Sequence, residues 1–255
     1  MSKTLSWNYY QQHCLQMPEL GISIDTSKMN TPDKLPDSLK AKFSVAFKQM
    51  QELEKGLIAN PDENQMVGHY WLRNPTLAPT EKIQTQINST LDKIQEFVAD
   101  VHQKKIKPQK AIQFRNVLSL GMGGSALGPQ LINSALGPQN ESMRFYFLDN
   151  TDPEGIDRAI ASIDKGLAET LILIISKSGN TLETRNSMIE VRECYSKVGL
   201  DFARHAVAIT RENSQLAQLA SKEKWLACFP MWDWVGGRTS ILSSVGMLPA
   251  ALLGE

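Results

Sequence analysis

The chain has 255 residues, 42% of them apolar, and its 27 basic side chains balance 27 acidic ones. That length buries the core of one large or two modest domains. A formal net charge of zero supplies no general attraction to nucleic acid or an anionic membrane, which leaves a small molecule as the default ligand.

Cys14, Cys194 and Cys228 are odd in number and widely spaced, so they make neither a disulfide framework nor a metal site and fit thiols in a reducing cytosol. No apolar run approaches the about 20 residues of a membrane span. Residues 1–10 lack the charged-then-apolar layout of a signal peptide, and the sequence reads as cytoplasmic.

Around residues 1–35, Pro18, Pro32 and Pro36 interrupt any periodicity and predict an extended, partly ordered arm. Leu39, Phe43, Ala46, Phe47, Met50, Leu53 and Leu57 recur at three and four residues, which predicts an amphipathic helix over 35–58. Asp37 or Ser38 can cap its start, and Gly56 and Pro61 end it. Residues 60–75, with His69, Tyr70, Trp71 and Arg73, read as irregular. Ile83, Ile87, Leu91, Ile94, Val98 and Val101 predict a second helix from 79 to about 104. The basic run 104–110, with Pro108, reads as a solvated connector.

From Gln113 the pattern becomes an alternation of strands and helices. Strands are expected at 117–120, 145–148, 171–176, 206–210 and 225–229, and helices at 126–136, 153–163, 181–198 and 214–221. Five strands with intervening helices predict an α/β fold with a parallel, doubly wound sheet, because right-handed crossovers place helices on both faces. The division expected is a helical N-terminal region over 1–112 and a sheet domain over 113–255. A loop with Gly236, Gly237 and Arg238 should lead into a buried helix from about Thr239.

Two strand ends carry the chemistry. Residues 171–184 (LILIISKSGNTLET) run from an unbroken apolar strand into Ser176, Lys177, Ser178, Gly179, Asn180 and Thr181. Such a strand suits a parallel sheet covered on both faces, and the crevice beyond its carboxyl end is where open α/β sheets bind ligands. Three hydroxyls around a glycine, at a helix start with unpaired amides and partial positive charge, make an anion site. One of those hydroxyls is also expected to cap the helix.

Upstream, residues 117–129 (VLSLGMGGSALGP) place Gly121, Gly123, Gly124 and Ser125 after another strand, where glycine lets a ligand approach the backbone. Gly121 to Ala126 also satisfies the G-x-G-x-x-A pattern of dinucleotide-binding folds, with Asp149 near the place of a ribose-binding acid. A dinucleotide-binding oxidoreductase is therefore a competing reading. A second Ser-bearing loop argues instead for two loops converging on one phosphate.

Taken together, residues 121–129 (GMGGSALGP), 176–184 (SKSGNTLET) and 233–240 (DWVGGRTS), with 64–75 (NQMVGHYWLRNP) before the sheet, resemble the N-terminal half of the glucose-6-phosphate isomerase family. The resemblance implies a five-stranded sugar-isomerase (SIS) domain and no cofactor. It implies that Ser125, Ser176, Ser178 and Thr181 hold a sugar phosphate, with the backbone amides of Lys177 and Gly179 nearby. Lys177 can be a direct phosphate ligand or a structural lysine. Arg238 would face the reacting carbons beside Gly237, with Gly123 and Gly124 close to the substrate and Glu183 supporting the pocket from behind.

The chemistry implied is aldose–ketose isomerisation of glucose 6-phosphate through an enediolate, whose developing charge a fixed guanidinium stabilises. The bland reading of Arg238 is a salt-bridged surface arginine. The family's general base, ring-opening His and a further Lys lie downstream of the G-G-R loop, and the chain stops at Glu255 without a second SIS domain. His13, His69, His102 and His205 match none of its motifs. The expectation is a phosphosugar-binding half, inactive alone, of a protein that is homodimeric when whole. A non-catalytic sugar-phosphate-sensing module is the alternative from another class. No concentrated basic recognition helix argues for nucleic acid.

Overall fold

The computed structural model describes residues 7–29, 36–137 and 143–254. The chain separates into two units, Met1–Met50 and Gln51–Glu255. The first contains α1 (Trp7–His13), then β1 (Cys14–Met17) paired antiparallel with β2 (Ile22–Asp25). The expectation of an extended arm is corrected here: Pro18 opens a short helical turn, and Gly21 at φ 63 closes it and returns the chain as a hairpin. Four-residue strands with mostly exposed side chains carry no apolar alternation to announce them. The division between units falls in α2 (Asp37–Glu54), which has no buried residue.

The second unit continues with β3 (Ile58–Asn60) and β4 (Gln65–Met66), a small antiparallel pair inside the stretch read as irregular. Then α3 (Glu81–His102) begins at Thr80, whose hydroxyl accepts the Ile83 amide at 3.3 Å. The sheet strands are β5 (Asn116–Gly121), β6 (Arg144–Leu148), β7 (Thr170–Ser176), β8 (Ala206–Thr210) and β9 (Ala227–Pro230). Between and after them come α4 (Gly124–Leu136), α5 (Pro153–Ile163), α6 (Leu182–Lys197), α7 (Gln215–Lys222) and α8 (Ser244–Leu253). All five strands are parallel, in the order β6-β5-β7-β8-β9.

One face of the sheet packs Val117, Leu171, Leu173, Ile175, Val207 and Ile209 against α3 and α8. The other packs Leu118, Leu120, Ile172, Ile174, Ala206 and Ala208 against α5, α6 and α7. The continuous apolar runs of β7 and β8 follow from that double cover, since every residue of both strands is buried. The expected α/β sandwich is therefore present.

Two of the differences from the expected boundaries have a clear local cause. The last strand starts at Ala227 rather than Trp225, because Trp225 closes the end of α7: its amide bonds Ala220 O at 2.9 Å and its ring joins the core beneath the helix. The helix expected from Thr239 is instead a short tight turn over Gly237–Leu242, followed by α8 from Ser244. Ser243 breaks the run by capping α8 through its hydroxyl, which accepts the Val245 amide at 3.3 Å.

His205 is fully buried and ties the connector to the sheet. Its Nε2 accepts the Gln109 amide at 3.4 Å, so the ring is neutral with its proton on Nδ1, which donates to Thr170 O at 2.9 Å. Burial holds its pKa below the ordinary histidine value. Below about pH 6.5 the unfolded chain gains a proton that the folded chain resists. Stability should therefore hold above that pH and fall with acid. Urea titrations at pH 7.5 and 5.0 should show a larger acid loss for the native chain than for His205→Gln. Equal losses would exclude this histidine as the cause.

Candidate functional site

The strand order reverses between β5 and β7: β6 lies to one side of β5, and β7, β8 and β9 to the other. Crevices at such reversals, outside the carboxyl ends of the strands, are where open α/β sheets hold ligands. The two loops singled out in the sequence are the ones that follow β5 and β7. Both lead into helices, α4 and α6, whose N-termini favour an anion at that crevice.

The loop after β7 is a linked set of hydroxyls. Ser176, only 4% exposed, has its Oγ 2.9 Å from Thr181 Oγ1 and accepts the Gly179 amide at 3.2 Å. Ser178 Oγ lies 3.4 Å from Thr181 Oγ1 and accepts the Asn180 amide at the same distance. Thr181 precedes α6 but its side chain makes no capping bond there, contrary to the expected capping role. Its hydroxyl is turned to the other two.

Gly179 sits at φ +73 with no room for a side chain, since a Cβ would lie 2.6 Å from Ser214 Cβ. Ser214 in turn caps α7, accepting the Ala217 amide at 3.0 Å, and lies 2.8 Å from Thr210 Oγ1, which donates to Ser176 O at 2.6 Å. The end of β8 thus buttresses the loop after β7.

The loop after β5 meets a third segment. Gly123 has φ 52 and precedes α4, and the backbone of Gly124 lies directly on that of Gly237, so that any Cβ on Gly124 would collide with the Gly237 carbonyl. Ser240, 1% exposed, clamps the contact by donating to Gly237 O at 2.8 Å and facing Gly124 O at 3.2 Å. Ser125 is partly buried on the first turn of α4, and Arg238 is exposed on the adjoining loop. Among the described residues Arg238 has no ion pair or hydrogen bond to its side chain. It is therefore not the salt-bridged surface arginine of the bland reading.

Lys177 links the second and third segments. Its ammonium donates to Asp233 O and Val235 O, each at 2.9 Å. Burial is the main influence lowering its pKa, against the opposing pull of the Asp233 carboxylate. Asp233 itself pairs with Arg211 at 3.3 Å. The side chain is engaged with carbonyls of the loop before Gly236, which is the structural role left open in the sequence. Glu183 is exposed in the first turn of α6, and its backbone carbonyl accepts from Ser187.

Sequence reasoning missed three contributors: Ser240, Thr210 and Ser214. Ser240 was visible within the G-G-R-T-S motif, but its clamp depends on a contact 116 residues away. Gly68, in the segment before the sheet, also donates its amide to Trp234 O at 2.8 Å, holding that tract beside the same loop. Asp149, the ribose acid of the dinucleotide reading, accepts from Gln130 at 2.8 Å and Asn150 at 3.1 Å. Among the described residues no group of three or more His, Cys, Asp or Glu side chains gathers as a metal site.

Two substitutions check this architecture. Gly124→Ala should separate the two backbones and lower the melting temperature by several degrees; an unchanged transition would show that the contact yields freely. Lys177→Met should cost about 1 kcal/mol, since two carbonyls lose a donor but can be partly rehydrated. Urea denaturation with an unchanged slope measures that loss, and a difference near zero would remove the lysine from the architecture.

A family model described as phosphoglucose isomerase matches residues 25–254. A glucose-6-phosphate isomerase of a Cyanothece species is 51% identical over 254 residues, covering 100% of this chain and 48% of that protein. One from a Nostoc species is 53% identical over 248 residues, 97% of this chain and 47% of its own length. The solved structure of a glucose-6-phosphate isomerase from Chlamydia trachomatis aligns with a TM-score of 0.83 at 26% identity, covering 99% of this chain and 48% of that one. The chain thus spans about half the length of the curated relatives it matches.

Proposed function

This chain belongs to the phosphoglucose isomerase family, and from that premise we propose that it supplies the phosphate-binding half of an enzyme interconverting glucose 6-phosphate and fructose 6-phosphate. The observation that carries the proposal is the meeting of three segments at the β5/β7 crevice: the Ser125 turn, the Ser176–Thr181 hydroxyl cluster and the loop of Arg238. In this reading Ser125, Ser176, Ser178 and Thr181 donate to the phosphate, assisted by the amides of Lys177 and Gly179. Gly123, Gly124 and Gly237 let the sugar approach the backbone. Lys177 acts by holding the loop of Arg238 rather than by touching phosphate.

Isomerisation moves a proton from C2 to C1 through an enediolate, and the base must reach both carbons from one face. Arg238, whose side chain has no ion pair or hydrogen bond among the described residues, would meet the enediolate oxygen, where charge grows in the transition state. Glu183 stands behind the phosphate loop in a supporting role. The base and the group that opens the sugar ring are assigned to the part of the longer relatives that this chain does not span. The proposal includes a homodimer of the longer protein acting in the cytoplasm. No described helix is long and apolar enough to cross a membrane.

The test is binding and turnover by the 255-residue chain. Inorganic phosphate and glucose 6-phosphate should both bind, and Ser176→Ala should weaken each by about tenfold, since a hydrogen bond to a charged group is worth roughly 1.5–3 kcal/mol. Conversion of fructose 6-phosphate should be undetectable. Phosphate binding unaffected by Ser176→Ala would overturn the site. Turnover abolished by Arg238→Ala would place the base within this chain.

A further inference from the structure

Thr210 ends β8 and stands outside the three segments that meet at the crevice. It is 1% exposed, and its hydroxyl donates to Ser176 O at 2.6 Å and lies 2.8 Å from Ser214 Oγ. A hydroxyl carries one proton. That of Thr210 goes to the carbonyl, which can only accept, so Ser214 donates to Thr210 and itself accepts the Ala217 amide at 3.0 Å. The donors therefore run one way, from Ser214 through Thr210 to Ser176 O.

Ser176 O belongs to the peptide joining Ser176 to Lys177, and no cis peptide occurs among the described residues. In a planar trans peptide the carbonyl and the following amide point in opposite directions. Holding Ser176 O at Thr210 therefore turns the Lys177 amide away from the end of β8. The next peptide is held in the same sense, because Lys177 O accepts the Arg211 amide at 3.2 Å. β7 has β8 on one side and β5, with the crevice, on the other. Successive amides turned to one space make a concave anion site.

We propose that Thr210 is a positioning residue for phosphate binding, acting through the Ser176–Lys177 peptide without touching the ligand. The proposal rests on the phosphate-site reading given above and adds to it a buried side chain from a third strand end. Of the two bonds that orient these peptides, the one from Arg211 is made by the main chain and survives any substitution. The one from Thr210 depends on a hydroxyl. Thr210 O also accepts the Met231 amide at 2.9 Å, so a change of side chain leaves the tract leading to Arg238 attached. Without the hydroxyl, Ser176 O keeps only the Gly179 amide, at 3.1 Å. The peptide then gains freedom to rotate and the Lys177 amide loses its aim.

Inorganic phosphate is the probe, titrated calorimetrically into the 255-residue chain well below the melting temperature of each variant. Thr210→Val keeps the shape and removes the proton, and should bind phosphate about tenfold more weakly. Thr210→Ser keeps the hydroxyl and should stay within about twofold of the native chain, a rescue that a packing role for the methyl group would not give. Thr210→Ala, which cannot clash, repeats the comparison and should behave as the valine variant does. Equal affinity in the native chain and in both variants without the hydroxyl overturns the proposal. So does a serine variant as weak as the valine one, which would assign the effect to packing. A native chain that binds no phosphate overturns the phosphate-site reading itself and this proposal with it, an outcome distinct from the other two.

Discussion

The crossover that sets β5 beside β7, with β6 on the far side, is the constraint from which the site follows. Parallel strands joined by right-handed crossovers must send helices to both faces, and where the winding reverses, two neighbouring loops diverge and leave a gap. Here the diverging loops are GMGGS and SKSGNT. Had either followed a different strand, its glycines and hydroxyls would not share a crevice. The unbroken burial of β7 and β8 holds the strands in a single register, so the loop positions inherit the rigidity of the sheet.

What the sheet begins, polar contacts finish. The hydroxyl cluster is braced from β8 through Thr210 and Ser214, while the third segment is drawn in by Ser240 at Gly124 and by Lys177 at Asp233 and Val235. Most of these bonds end on backbone carbonyls, those of Ser176, Gly124, Asp233 and Val235. The braces also divide labour: the lysine is spent on loop structure, while the Arg238 side chain has no ion pair or hydrogen bond among the described residues. A guanidinium suits that position better than an ammonium would, because its planar fork meets oxygen pairs and holds its charge at any working pH.

The sheet domain was legible because its signals are local. Apolar runs of four to six residues, with helical periodicity between them, recovered the five strands and the doubly wound class. The family resemblance rested on short motifs spread along the chain, and the family model matches residues 25–254. What escaped was non-local or weakly patterned. The hairpin of Cys14–Met17 and Ile22–Asp25 has little buried surface to impose alternation. The Ser240 clamp joins residues that no spacing rule connects. The start of β9 shifted because Trp225, expected as the first residue of the strand, serves the end of α7 and the core beneath it. The apolar stripe of α2 was read correctly as a stripe, yet Phe43 and Phe47 remain exposed. Periodicity reports that a face is apolar and does not report what covers it.

The hydroxyls of the loop after β7 differ in what they are free to do. Ser176 is buried and accepts a backbone amide, so its own proton is the group left to give. Thr181, released from capping α6, can turn its hydroxyl toward the crevice at little cost because the helix does not depend on it. Thr184, three residues farther on, is 2% exposed, and its hydroxyl has no hydrogen-bond partner among the described residues. The helix start thus carries one hydroxyl turned to its loop neighbours and another sealed in the packing beneath it. The same i, i+3 spacing that places Thr181 and Thr184 on one side of α6 separates them by depth, and depth leaves the inner hydroxyl without access to any ligand.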